Sequence, residues 1–206
     1  MQRGPDPGIL MAMQTKVLKI SHAGEPDRDL EEAAALVDGG GLVAFPTETV
    51  YGVACRVQNR SLKQLDKVKG RGPDKHYTLH IADRGRVAQF VPHRSLKVRR
   101  LVERAWPGPL TVVFEVDPGD LGGLQQNLPQ QVFASLYRDS CIGIRCPDHP
   151  VASALLRRTA HPVVAPSANP AGQPPAREAR QVLDYFEGKI DLVLDGGPCR
   201  HGRSST

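Results

Sequence analysis

The stretch AFPTETVYG, residues 44–52, decides how the chain is read. It continues from Leu42 and Val43, so residues 42–45 have the composition of a buried strand end. Pro46 halts that strand, because a proline nitrogen carries no hydrogen for the ladder. Two threonines, a glutamate and a tyrosine follow at once. Hydroxyls and a carboxylate at a strand end have two readings. One is a polar turn. The other is a ligand loop, since open α/β sheets bind ligands at strand ends.

Working outward, periodicity places further elements on both sides. A first strand is predicted over 17–20. Asp29 opens a helix whose apolar face is Leu30, Ala33, Ala34 and Val37, and the glycines at 39–41 end it. Ser61 is the expected cap of a short helix carrying Leu62, Leu65 and Val68, closed by Gly70. A strand follows over 77–81. Ser95 then caps a helix with Val98, Leu101, Val102 and Ala105 on one face, stopped by Pro107. LTVVFEV (110–116) and CIGIRC (141–146) read as strands, and 119–131 as a loop-rich insertion. A helix is expected over 151–158. PVVAPSAN repeats the opening theme of apolar strand, proline and small polar residues. A last helix over 177–187 precedes a strand and turn over 190–197. Strands and helices mix without strict alternation, so the expectation is one α/β domain on a mixed, twisted sheet.

The bulk properties narrow the class. The 206 residues suit one such domain, and 40% hydrophobic with 24% charged residues is ordinary for a soluble globule. No apolar run approaches the ~20 residues of a membrane span, so no membrane partner is expected. The opening MQRGPDPGILMAMQ is too poor in apolar residues for a signal peptide and reads as a loose tail, vector- or start-site-derived. The domain division is therefore 1–22, tail and start of the first strand, and 23–206, the folded domain. Four cysteines lack paired C-x2-C spacing, which fits reduced thiols in a cytoplasmic protein and no zinc site. The net charge of +5 favours anionic ligands such as nucleotide, phosphate or nucleic acid.

Two further loops carry chemistry-bearing residues. In KGRGPDK, Lys69 and Arg71 are separated by a glycine. In an extended segment such neighbours point the same way, so both cations reach one anion, while Gly70 and Gly72 allow close approach. Their other reading is as complements to a helix C-terminus. In PSANP, Ser167 and Asn169 are short polar groups suited either to phosphate and nucleotide edges or to turn chemistry beside prolines. The usual phosphate loops, G-x-x-x-x-G-K-[ST] and G-x-G-x-x-G, are absent, as is a G-x-S-x-G elbow. His80, alone on its strand, is either a core histidine or a substrate contact.

PTETVYG, KGR, PGPLT, GIRCPDHP, APSAN and LDGGPC occur in that order. Together they resemble the YrdC-like family, whose signature combines K-x-R with S-x-N, from about Asp38 to Thr206. The resemblance implies a single α/β domain with a twisted mixed open sheet and flanking helices around a basic cavity. It implies a threonylcarbamoyl-AMP synthase, a nucleotidyltransferase that joins L-threonine, bicarbonate or CO2, and ATP with release of pyrophosphate. The product would pass to a downstream tRNA threonylcarbamoyl transferase. By the same resemblance Lys69 and Arg71 are the catalytic pair on the triphosphate, with Mg²⁺ sharing that role. Lys75, Cys141, Ser167 and Asn169 complete the ATP site. Thr47, His80, Arg145, Ala165 and Ser205 form the threonine site, Arg145 facing the substrate carboxylate. Two positions depart from the family pattern: Lys75 stands for a common asparagine and Cys141 for a common threonine. The alternative is a non-catalytic module of the same fold that binds double-stranded RNA or tRNA. A carbamoyl-handling domain of hydrogenase maturation proteins fits less well, since zinc-type cysteine pairs are missing. The final GRSST corresponds to the start of a family strand, so a C-terminally truncated domain is the expectation.

Overall fold

The computed structural model describes residues 14–20, 28–72 and 76–205. Residues 1–13 of the expected tail, Lys75 and Thr206 lie outside them. The elements run β1 (Lys16–Lys19), α1 (Arg28–Asp38), β2 (Val43–Phe45), β3 (Gly52–Arg56), α2 (Asn59–Lys69) and β4 (Thr78–His80). A 3-10 turn over Arg84–Gln89 leads to α3 (Leu96–Ala105), β5 (Thr111–Glu115), α4 (Pro118–Asn127) and α5 (Gln130–Leu136). The chain continues through β6 (Cys141–Arg145), α6 (Pro150–Arg158), β7 (Val163–Val164), α7 (Ala179–Phe186) and β8 (Leu192–Asp195).

The strands form one mixed sheet in the order β1-β8-β2-β3-β7-β4-β6-β5. β8 lies parallel to β1 and β2, β4 lies parallel to β6, and the remaining pairs are antiparallel. Both faces are covered. Leu42 and Ala44 enter one hydrophobic cluster, Val43 and Phe45 the other, which is the alternation of a strand buried on both sides. The cluster built on Val43 and Phe45 receives α1 and α6, which pack on each other. The opposite cluster receives α2, α3, α4, α5 and α7.

Pro46 does end β2, but the chain returns six residues later as β3, antiparallel to β2. GVACR was missed as a strand because both its faces are buried and no polar alternation marks it. α4 and α5 replace the expected loop over 119–131. Asp117 caps α4 by accepting from the Gly119 amide, with Pro118 in the first turn, so capping outweighs the glycines. Ser95 caps α3 as expected, accepting from Val98 N at 3.3 Å. Ser61 does not cap α2. The helix starts two residues earlier, and the Ser61 hydroxyl donates to the Gly40 carbonyl at 2.9 Å. Leu101 of α3 is exposed rather than inward. No described helix is long and apolar enough to cross a membrane.

Candidate active site

On the face that α1 and α6 cover elsewhere, three strands carry polar residues instead of aliphatics. Register aligns His80 with Arg145 and Arg145 with Thr111, and in the next row Thr78 with Gly143 and Gly143 with Val113. Above this patch stand the loop between β2 and β3, the residues after β7, and residues 204–205. Together they enclose a cavity of about 220 Å³. Its walls include Thr47, Arg71, His80, Arg145, Ala165, Ser167 and Ser205, brought together from across the chain. Ser205 reaches Thr111, hydroxyl to hydroxyl, at 3.3 Å. A second cavity of about 320 Å³ adjoins it along the strands and contains Cys141. The two share His76, Thr78 and Thr111.

The carboxylate of the opening stretch is a structural hub. Glu48 and Arg145 form an ion pair at 2.9 Å, with side chains 1% and 6% exposed. The other carboxylate oxygen accepts the Asp148 amide at 3.1 Å, and the Glu48 carbonyl accepts the His201 amide at 2.8 Å. Arg145 Nη2 also donates to Thr49 Oγ1 at 2.7 Å. Glu48 thereby ties the β2–β3 loop to β6 and to the chain after β8. Sequence reasoning found the residue but no role for it, because its partners lie about a hundred and more positions away.

The Thr47 hydroxyl is committed to its own loop. It donates to Val50 O at 2.7 Å, accepts from the Thr49 and Val50 amides at 3.2 and 3.3 Å, and meets Thr49 Oγ1 at 2.8 Å. The expectation that this hydroxyl is available for a small amino acid is corrected. The Thr47 proton is on Val50 O, so Thr49 is the donor between the two hydroxyls, and the Thr47 oxygen is then saturated. Thr47 shapes the wall and does not offer a free donor.

Lys69 and Arg71 do not share one face, contrary to the extended-segment expectation. Lys69 is the last residue of α2 and Gly70 is left-handed at φ 60°, so the i, i+2 relation of a strand does not apply. The Lys69 ammonium is buried and donates to the carbonyls of Ser167 and Asn169, the latter at 2.6 Å. It stands behind the cavity wall and holds the serine–asparagine loop against α2. Arg71 alone lines the cavity. Its Nη2 donates to His76 O, and its guanidinium lies 4.4 Å from the centroid of the Tyr77 ring.

Asn169 Nδ2 donates to Pro170 O at 3.0 Å and Gln173 O at 2.7 Å. Those bonds fix the amide so that Oδ1, buried without a partner, is what remains. Asn169 is not among the residues lining either cavity, and the atom it leaves unpaired is an acceptor, which suits a hydroxyl, an amine or a metal ion and not a bare phosphate oxygen. His80 is fixed similarly. Its Nδ1 lies 3.1 Å from the Thr78 carbonyl, which only accepts, so Nδ1 carries the proton and Nε2 is a bare acceptor. Burial, and secondarily Arg145, lower its pKa from 6.5 to about 3. The ring is neutral near pH 7.

Arg71 Nε and Arg145 Nε are both buried without a hydrogen-bond partner, and both residues line the same cavity. Unpaired buried donors are rare because each forfeits its hydration, and two of them belong to arginines that line one cavity, which favours an anionic ligand there. Residues sequence reasoning overlooked in the walls are His76, Thr78 and Ser204; Thr111 was quoted only as the end of PGPLT. No group of three or more described His, Cys, Asp or Glu residues could hold a metal ion.

The molecule so defined is an α/β protein with a cationic pocket on an open face of a mixed sheet. Residues 35–206 match the Sua5/YciO/YrdC family model, described as "Telomere recombination", and the chain belongs to that family. It is 37% identical over 181 residues to the threonylcarbamoyl-AMP synthase of Bacillus subtilis, covering 87% of this chain and 49% of the relative. It is 34% identical over 165 residues to the enzyme of that name from Cellvibrio japonicus, covering 80% and 82%. The crystal structure of Pyrococcus abyssi Sua5 complexed with L-threonine superposes with a TM-score of 0.79 at 31% identity, covering 93% of this chain and 53% of that one. The chain thus spans about half the length of the Bacillus and Pyrococcus relatives.

Proposed function

We propose that the cavity makes threonylcarbamoyl-AMP from L-threonine, bicarbonate-derived CO2 and ATP, a nucleotidyl transfer. The amine nitrogen of threonine bonds to the carbon of CO2 and loses a proton, giving a carbamate. A carbamate oxygen then bonds to the α-phosphorus of ATP. The bond from that phosphorus to the bridging oxygen breaks, and its electron pair leaves with pyrophosphate. Positioning and charge neutralisation carry such a step.

The observation that carries this reading is the pair of buried, partnerless guanidinium N–H groups of Arg71 and Arg145 in one cavity. Arg145, its Nη2 held by Glu48, turns its Nε edge toward the threonine carboxylate. Arg71 offsets charge on the phosphates and on departing pyrophosphate. His80 Nε2 accepts from the amine or hydroxyl of the amino acid. Ala165 and Ser205 complete the threonine wall, and Ser167 with Cys141 lies toward the nucleotide. Lys69 orients the Ser167–Asn169 loop, and Lys75 is assigned to ATP by resemblance. Mg²⁺ fits as a companion of ATP. Asn169 Oδ1, a hard oxygen left without a partner, would be the residue's contribution to holding it. When bound, the ion would neutralise phosphate charge. The names of the relatives and the threonine complex support the substrate assignment. A cytoplasmic tRNA threonylcarbamoyl transferase is the expected recipient of the product.

The test is pyrophosphate release with ATP, L-threonine and bicarbonate omitted in turn. Release requiring all three is expected; release indifferent to threonine rejects the reading.

A further inference from the structure

Gly143 is a strand residue with no backbone reason to be glycine. It sits in the middle of β6, and its φ lies outside the left-handed region. A Cβ built there meets Thr78 Oγ1 at 3.6 Å and Thr111 Cγ2 at 4.0 Å, both ordinary contacts. An alanine would fit, and glycine weakens a strand relative to alanine through its extra chain entropy. Glycine inside a strand otherwise marks a bulge, a bend or a close approach by a ligand. The register through β4, β6 and β5 is unbroken, so no bulge is present.

Its position explains the choice. Gly143 lies in the row between Thr78 and Val113, one row from His80, Arg145 and Thr111. Gly143 itself lines the Cys141 cavity, and the two residues its Cβ would meet, Thr78 and Thr111, line both cavities. A methyl at 143 would touch both of these residues at once and raise a sill between the compartments. We propose that Gly143 is a positioning residue: its bare backbone is the floor on which a group bound at the Arg145 end meets a group bound at the Cys141 end. Resting on the synthase reading, those groups are the carbamate of the amino acid and the α-phosphate of the nucleotide. With Arg71, Ser167 and Arg145 all lining the first cavity, the amino acid lies there with the phosphates, the rest of the nucleotide extends toward Cys141, and the reacting atoms come within reach only because the floor along this path is bare.

The test uses Gly143→Ala and Gly143→Val in the full chain, with Gly123→Ala as a control whose Cβ meets nothing within 4 Å. Three quantities are read: thermal midpoint, L-threonine affinity by calorimetry, and threonine-dependent pyrophosphate release. The midpoint of Gly143→Ala should equal or exceed that of wild type, with threonine affinity retained. Its kcat should fall about 10-fold, and that of Gly143→Val about 10²-fold, the loss expected of a misplacement on the order of 1 Å. Gly123→Ala should match wild type in kcat and threonine affinity, with a midpoint equal to or above it. Wild-type kcat in Gly143→Val overturns the inference while leaving the synthase reading intact. So does loss of threonine affinity in step with kcat, which would place Gly143 within one subsite. A lowered midpoint in Gly143→Ala would mark the position as structural and also overturn it. Absence of threonine-dependent release from wild type rejects the synthase reading, and this inference with it.

Discussion

Replacing Glu48 by alanine should destabilise the fold more than any other change in the β2–β3 loop. Glu48 and Arg145 are almost fully enclosed, at 1% and 6% exposure. Removing the carboxylate leaves the guanidinium buried, with Nη2 reduced to the Thr49 hydroxyl and Nε already partnerless. It also strips the Asp148 amide of its acceptor. Breaking a buried pair by deleting one partner costs about 3–5 kcal/mol, because the survivor is an uncompensated charge. For a domain of this size, about 2–4 °C of midpoint per kcal/mol gives a fall of roughly 6–20 °C. Glu48→Gln keeps an oxygen acceptor and should cost about half as much, in the range of one hydrogen bond to a charged group. Glu48→Ala combined with Arg145→Met should recover part of the loss, since an apolar side chain carries no charge to desolvate. Urea melts with linear extrapolation give the free energies, and an unchanged slope verifies that the denatured state is the same. A Glu48→Ala variant within about 1 kcal/mol of wild type, or a double variant less stable than either single, refutes the hub.

Arg71→Ala should reduce threonine-dependent pyrophosphate release about 10²-fold with little change in midpoint, through lost charge stabilisation. Lys69→Ala should reduce release similarly but also lower stability by about 1.5–3 kcal/mol, because its ammonium is bonded to two loop carbonyls; equal midpoints for the two variants would contradict this division. His80 should make the fold acid-sensitive. Its folded pKa of about 3 lies below the ordinary 6.5, so the unfolded chain binds more protons between those values. Stability from this group is complete above pH 6.5 and drains as pH falls toward 3, by about 1.4 kcal/mol per unit at most; urea melts at pH 7, 6 and 5 should be flatter for His80→Gln, and identical slopes would refute the assignment. Asp139 and Ser140 both have positive φ, 49° and 62°, in a tight turn closed by reciprocal bonds between Arg138 and Cys141. Ser140→Gly should therefore raise stability by about 1 kcal/mol, read as an increased urea midpoint.

Local chemistry determined much of this protein on its own. The α1 stripe of Leu30, Ala33, Ala34 and Val37, the Ser95 cap of α3 and the halt of β2 at Pro46 depend on neighbours a few residues away, so they are legible in sequence. The ordered motifs likewise contain several of the residues that line the cavity, among them Thr47, Arg71, Arg145, Ala165 and Ser167, but not His76 or Thr78. Tertiary structure alone decided what each side chain has left to offer a ligand. Thr47 spends its hydroxyl on its own turn, and Lys69 spends its ammonium on carbonyls about a hundred positions away. Glu48 fixes one edge of Arg145, a residue of the cavity wall, and its Nε is left without a partner. A side chain's type states how many hydrogen bonds it can make, and only its folded surroundings state how many are already made. The same limit hid β3, whose two buried faces erase the alternation by which a strand is read, and Gly143, whose absent side chain acquires meaning from Thr78 and Thr111 on neighbouring strands.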